Sequence, residues 1–365
     1  MSTFASTRFY ARNYQPNHDR ALAVWLATCA VVIFGMILLG GVTRLTESGL
    51  SMVEWRPIMG IWPPIGEAAW LEVFAKYQQF PEYQKINKGM SLGEFKVIFM
   101  YEYLHRVLGR LIGMLFTLPL LVFALRGMIK PGIMSRLLVL LFLGGCQGLL
   151  GWYMVKSGLV DRPSVSQYRL TAHLGLAVAL YAAIVWQMLN LWTRDERPPS
   201  SVSLLRFASL APVLCALVYL MILTGGLVAG TDAGFSYPTW PKMGPGFVPP
   251  GLYAGEPSWL AAFEDVTTIQ FNHRLFAYLL FFLVGGFGVA LAISAKELSL
   301  KLMGSAVVIT LLGQITLGIS TLLTHVAVPV AAAHQGGAIV LLTALLITTH
   351  ALRRSSAVAH YQEAF

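Results

Sequence analysis

Four histidines, His105, His173, His273 and His334, are the residues of this chain best suited to chemistry. Each falls inside a long apolar run, and those of one half have counterparts in the other. An imidazole placed in hydrocarbon needs a partner or a task, and intramembrane ionisable side chains mark functional sites. Imidazole nitrogen ligates metals and haem iron, and two histidines on different helices can approach opposite faces of a flat macrocycle whose apolar edges the helices wall in. The pairings His105 with His173 and His273 with His334 use one pair per half, although pairing across the halves satisfies the same spacing.

Two other metal readings use the same residues. Glu102-Tyr103-Leu104-His105 has the Glu-x-x-His spacing of di-iron bundles, but the further carboxylates such a site requires are missing from the apolar runs. Copper or zinc on four imidazoles is a chemical alternative. The twofold repetition and the wide apolar surroundings favour two planar cofactors over one compact ion.

Glu102 is where the halves differ, because Gln270 stands at the equivalent place. Glu102 lies one helical turn from His105 on the same face. Hydrocarbon disfavours the charged carboxyl, so Glu102 can take or give a proton where glutamine cannot. The plainer reading is an i, i+4 ion pair with Arg106. Arg274 keeps the arginine beside Gln270, which points to a role shared by both halves, and Arg106 and Arg274 are candidates for pairing with haem propionates.

The elements that must position these groups are membrane helices. Of the 365 residues, 56% are hydrophobic and 12% charged, and apolar runs recur near 21–42, 97–125, 135–155, 168–192, 206–229, 269–294, 302–323 and 328–352. Each is long enough to cross a hydrocarbon core of roughly 30 Å. The fold class expected is an all-α membrane protein with eight transmembrane helices, arranged as two parallel-repeat four-helix bundles.

The repeat is legible residue by residue. Gly40-Gly41-Val42-Thr43-Arg44-Leu45-Thr46-Glu47-Ser48-Gly49-Leu50-Ser51 returns as Gly225-Gly226-Leu227-Val228-Ala229-Gly230-Thr231-Asp232-Ala233-Gly234-Phe235-Ser236, and Trp55 returns as Trp240. His105-Arg106 matches His273-Arg274, Gln147 matches Gln314, and His173 matches His334. A repeat of four spans starts both halves on the same membrane face, which implies an axis along the membrane normal. The expected divisions are a cytoplasmic tail 1–20, a half 21–192, a linker 193–205, a half 206–352 and a cytoplasmic tail 353–365.

Arg8, Arg12, Arg20, Arg126, Lys130, Arg136, Arg194, Arg197, Arg206, Lys296, Lys301, Arg353 and Arg354 gather on alternate connections, which places both termini in the cytoplasm. The net charge of +9 then reflects topology and gives no reason to expect nucleic acid as a partner. Cys29, Cys146 and Cys215 all lie in apolar runs, so no outer-face disulfide or CxxC motif is available and packing is their expected role. His18, His325, His350 and His360 sit at run ends or in the tails, where solvated or interfacial imidazole is the default. Gly109 with Gly113 and Gly144 with Gly148 predict close helix packing. Trp55, Pro57, Trp62, Pro63, Pro64, Pro238, Trp240 and Pro241 predict rigid caps or interfacial anchors at the outer face.

The segments GGVTRLTESGLSM, EYLHR, TAHLG, GGLVAGTDAG, FNHR and AHQGG, in this order and at repeat-related positions, resemble the haem A synthase family. The resemblance covers all eight runs. It implies oxidation of the C8 methyl of haem O to a formyl group, giving haem A for terminal cytochrome oxidases. It further implies that His273 and His334 ligate the iron of a resident haem b, that His105 and His173 hold the substrate, and that Glu102 lies near the reacting methyl.

Implied partners are haem O, a haem O synthase, an electron acceptor or donor and membrane lipid, with a homo-oligomer as a further expectation. The expected location is a bacterial inner membrane rather than a mitochondrial one. Some relatives of this type carry outer-loop cysteine pairs, which this chain lacks. A two-haem electron carrier of the cytochrome b kind and a haem transporter are the alternatives from other classes. They predict haem recovered unmodified, or haem that does not stay bound.

Overall fold

A computed structural model describes residues 16–54, 62–158, 165–193 and 204–363. Trp55, Pro57, Arg8, Arg12, Arg194 and Arg197 lie outside the described residues, as does the side chain of His360.

Eight long helices follow the eight apolar runs: α1 (Pro16–Leu45), α2 (Leu92–Leu125), α3 (Pro131–Gly158), α4 (Gln167–Trp192), α5 (Leu205–Gly230), α6 (Val266–Ser294), α7 (Leu298–Leu323) and α8 (Val328–Glu363). All eight are long and apolar enough to span a membrane, and among the described residues there is no β-strand. Backbone polar groups have no water to bond in hydrocarbon, so each segment closes its bonds within itself as a helix.

Local signals fix the ends. Ser91 caps α2 in a capping box: its hydroxyl accepts from Glu94 N at 3.3 Å, and Glu94 accepts from Ser91 N at 2.8 Å. Asp265 caps α6 by accepting from Thr268 N at 2.7 Å. Both helices therefore begin before their apolar runs. At the other extreme, α8 continues to Glu363, past the 352 boundary expected for the second half. The segment beyond Arg354 contains no Pro or Gly to stop it, and its polar residues need only leave the hydrocarbon.

Helices α1, α4, α5 and α8 form the centre of the bundle. In it α1 packs on α4 and α8, α5 packs on α4 and α8, and α4 also meets α8. The other four flank this centre: α2 leans on α1, α3 on α4, α6 on α5 and α7 on α8, with α2 beside α3 and α6 beside α7. Small residues allow the closest crossings. A Cβ on Gly230 would lie 2.7 Å from Gln167 Cα, and one on Gly304 would lie 2.7 Å from Ala292 N.

The expected packing through Gly113, Gly144 and Gly148 is not found. Nothing among the described residues lies within 4 Å of a Cβ built there, and only Gly109 touches a neighbour, Met36. These glycines sit on the outward sides of flanking helices, where close approach has no partner.

On the outer side, two short helices, Glu67–Tyr77 and Pro81–Lys85, fold onto the first turns of α2. Trp70, Phe74, Tyr77, Phe95 and Phe99 make their core, with Tyr77 stacked on Phe95 at 5.1 Å between centroids and Trp70 edge-on to Phe99 at 5.1 Å. Trp62 and Trp240 are both exposed, so they stand out from this face instead of closing over the bundle, as suits indoles at headgroup depth.

Candidate functional site

The four histidines are drawn from α2, α4, α6 and α8, and each ring lies against a glycine of an adjacent helix. A Cβ on Gly40 of α1 would lie 3.0 Å from His105 Cε1, and one on Gly225 of α5 would lie 3.5 Å from His273 Cε1. A Cβ on Gly151 of α3 would lie 2.9 Å from His173 Cε1, and one on Gly318 of α7 would lie 2.8 Å from His334 Cε1. At these four places the missing side chain makes room for an imidazole. Gly40 and Gly225 occupy the same place in the two copies of the glycine motif.

His105 is close enough to His173 to interact with it electrostatically, and His273 to His334, so the structure brings the rings together pair by pair within each half. All four lie deep among helices yet keep part of their surface accessible, which leaves open space at each ring. Among the described residues, Nδ1 of His105, His173 and His334 is buried without a hydrogen-bond partner. A buried polar atom left unpaired is costly and asks for a ligand. His273 is the exception, since its Nδ1 lies 2.7 Å from Thr224 Oγ1.

Glutamines beside the histidines tie the ligand-bearing helices in place. Gln147 Nε2 donates to His173 O at 3.0 Å, joining α3 to α4, and Gln335 Nε2 donates to Ile37 O at 2.9 Å, joining α8 to α1. Gln314 of α7 rests on Gly337 of α8.

Glu102 is buried, and both of its oxygens are engaged. Oε2 accepts from Ser51 Oγ at 2.8 Å and from Met52 N at 2.7 Å, while Oε1 pairs with Arg106 Nη2 at 2.5 Å. The plainer sequence reading, an i, i+4 ion pair, is therefore present in the structure. Arg106 also donates to Met52 O at 2.8 Å and to Glu54 O at 3.1 Å.

In the other half Gln270 inverts the polarity. Its Nε2 donates toward Gly234 O at 3.4 Å and Tyr237 O at 3.3 Å, and Arg274 Nη2 donates to Tyr237 O at 2.6 Å. Both arginines thus fasten the loop that follows the glycine motif, at the matching residues Met52 and Tyr237. Arg274 Nε remains buried without a partner among the described residues.

The remaining histidines stand apart. His350 is buried and bound to Asn190 Oδ1 at 3.0 Å with Trp186 edge-on at 5.0 Å, and α8 runs on past it, so it joins α4 to α8 instead of ending a helix. His325 follows α7 in a left-handed conformation with φ of 52°. Cys29 is buried in α1, and Cys215 shares a 3.3 Å contact with Thr349, as packing residues do.

Among the described residues, no three His, Cys, Asp or Glu side chains come together around one point that could hold a metal ion. Two imidazoles are too few for a bare transition ion, which takes about four protein ligands. They suffice for haem iron, whose macrocycle supplies the equatorial nitrogens. Paired imidazoles, glycine cradles and unpaired ring nitrogens fit such a group in both halves.

Sequence reasoning located the histidines and Glu102 but not Ser51 as the hydroxyl on Glu102, nor Thr224 on His273, nor Gly151 and Gly318 as cradles. The glycines carried a detectable signal, since Gly151 stands four residues after Gln147 as Gly318 does after Gln314.

The family model described as cytochrome oxidase assembly protein (COX15-CtaA) matches residues 23–346. The chain is 48% identical to a protein named heme A synthase from Nitrosospira multiformis, over 92% of this chain and 94% of that one. It is 46% identical to the protein of the same name from Nitrosomonas eutropha, over 92% and 94%, and 43% identical to that from Parvibaculum lavamentivorans, over 93% and 96%. The matched region spans every histidine pair described above, and the chain belongs to the COX15-CtaA family of cytochrome oxidase assembly proteins.

Proposed function

We propose that this protein is a haem A synthase of a bacterial inner membrane, an oxidoreductase that converts the C8 methyl of haem O to a formyl group. The observation that carries the reading is the arrangement of two histidine pairs, each ring against a glycine, with a buried carboxyl beside only one pair. His105 and His173 hold the substrate haem O. His273 and His334 hold a resident haem b, which supplies iron-based electron transfer when bound.

Glu102 is the residue that handles the proton released from the reacting carbon. Arg106, Ser51 and the Met52 amide fix the position of its carboxylate, so it meets the substrate without a reorganisation cost. Gln270 cannot accept a proton, which separates the reacting half from the resident-haem half. The helices exclude bulk water from the methyl. Remaining N–H groups of Arg106 and Arg274 pair with propionates, and the buried Arg274 Nε supports that assignment.

The same proposal includes the parallel repeat about an axis along the membrane normal, both termini in the cytoplasm, haem O delivered by a haem O synthase, and an electron acceptor outside the chain. Helix pairings that recur between the halves support the repeat.

The test is to supply haem O to purified protein with reductant and oxidant present, then extract the haems for mass analysis. Wild-type protein is expected to yield a haem that has gained one oxygen and lost two hydrogens at the methyl. Recovery of unmodified haem O alone contradicts the proposal.

A further inference from the structure

The two halves treat their first histidine differently. His273 Nδ1 lies 2.7 Å from Thr224 Oγ1, whereas His105 Nδ1 is buried with no partner among the described residues. Thr224 immediately precedes the motif beginning at Gly225, and the residue preceding the matching Gly40 is Leu39. Leucine has no hydroxyl to offer, so the difference is built into the sequence.

Hydrogen counting assigns the direction of the bond. Thr224 Oγ1 also lies 2.8 Å from Met221 O, and a carbonyl can only accept. A hydroxyl has one hydrogen, which that carbonyl takes. His273 Nδ1 must then be the donor and Thr224 Oγ1 the acceptor. The proton sits on Nδ1 and leaves the lone pair on Nε2, the state in which an imidazole binds iron through Nε2.

We propose that Thr224 is a positioning residue that locks His273 as a permanent axial ligand, while the unpartnered His105 is an exchangeable one. The inference rests on the haem reading given above. A hydrogen bond to the distal ring nitrogen fixes the tautomer and the ring orientation and makes the ligand a stronger donor. Such a bond suits a cofactor that must stay. Its absence at His105 suits a substrate haem that must enter and a product that must leave.

The experiment measures haem retention, by transfer to excess apomyoglobin, together with the reduction potential of the His273-dependent haem in purified full-length protein. Thr224→Val keeps the shape and removes the acceptor. It is expected to release that haem about ten- to a hundredfold faster, the usual cost of losing such a partner, and to shift its potential upward. Thr224→Ser is expected to restore both values. Leu39→Thr, which gives His105 a hydroxyl, is expected to slow transfer from the first half.

Wild-type rates and potential in Thr224→Val overturn the role of Thr224. Equal release from Thr224→Ser and Thr224→Val also overturns it. Failure of the haem reading looks different: the wild-type protein then has no haem signal that His273→Ala removes.

Discussion

At the residue scale, Glu102 and Arg106 form one unit with the loop that follows α1. Removing Arg106 leaves a buried carboxylate short of a partner, which typically costs about 3–5 kcal/mol. Arg106→Leu is accordingly expected to lower thermal stability far more than Glu102→Gln, read from melting of detergent-solubilised protein. Glu102→Gln should fold, because Gln270 beside Arg274 already has that combination in the same chain, with the arginine held by Tyr237 O at 2.6 Å. Its expected phenotype is full haem loading with product formation near background in the haem O conversion assay. Wild-type turnover by Glu102→Gln removes Glu102 from the chemistry. The histidines and Glu102 were legible in the sequence because repetition and an apolar setting single them out. Ser51 on Glu102 and Thr224 on His273 were not, since a side-chain contact between helices depends on rotation and packing that no local pattern encodes.

At the scale of elements, the glycine cradles decide whether an imidazole fits. A Cβ on Gly318 would lie 2.8 Å from His334 Cε1 in the packed contact of α7 and α8. Gly318→Val is expected to abolish retention of the second-half haem, seen as loss of its absorbance in purified protein, while Gly113→Val, which faces open space, leaves it intact. The outer cap makes a separate prediction. Glu82 is buried in the short helix Pro81–Lys85, and burial, reinforced by Glu102 and Glu47, pushes its pKa from 4.5 up to about 8. A carboxyl raised on folding contributes stability in full below about pH 4.5 and loses that contribution as pH rises through about 8. Melting temperatures of wild type and Glu82→Gln should therefore separate above pH 7, with the variant the more stable, and an unchanged gap from pH 5 to 9 contradicts the assignment. The helix cores were plain from the apolar runs. The early starts of α2 and α6 follow from Ser91, Glu94 and Asp265, cap signals that hydropathy alone does not count. The expected packing at Gly144 and Gly148 failed because small-residue spacing says that helices can approach, not that a neighbour is there.

At the scale of the whole molecule, the central helices α1, α4, α5 and α8 hold the two halves together, and the flanking α2, α3, α6 and α7 complete the histidine sites. Half of the ligands, His173 and His334, sit on central helices, so each site shares walls with the helices that join the halves. The number of spans was readable from composition, whereas the choice of which helices lie at the centre was not, because every run is similarly apolar and only the packed structure ranks their burial. The arrangement puts one carboxyl beside one of two otherwise similar pairs, and that asymmetry makes the chain an enzyme and not a wire. The pairing itself is tested most directly by low-temperature electron paramagnetic resonance of oxidised protein carrying His105→Ala, His173→Ala, His273→Ala or His334→Ala in turn. His273→Ala and His334→Ala are expected to remove one and the same low-spin haem signal, which the other two variants retain. Loss of a single signal in His105→Ala together with His273→Ala, or an unchanged spectrum in all four, contradicts the pairing within halves.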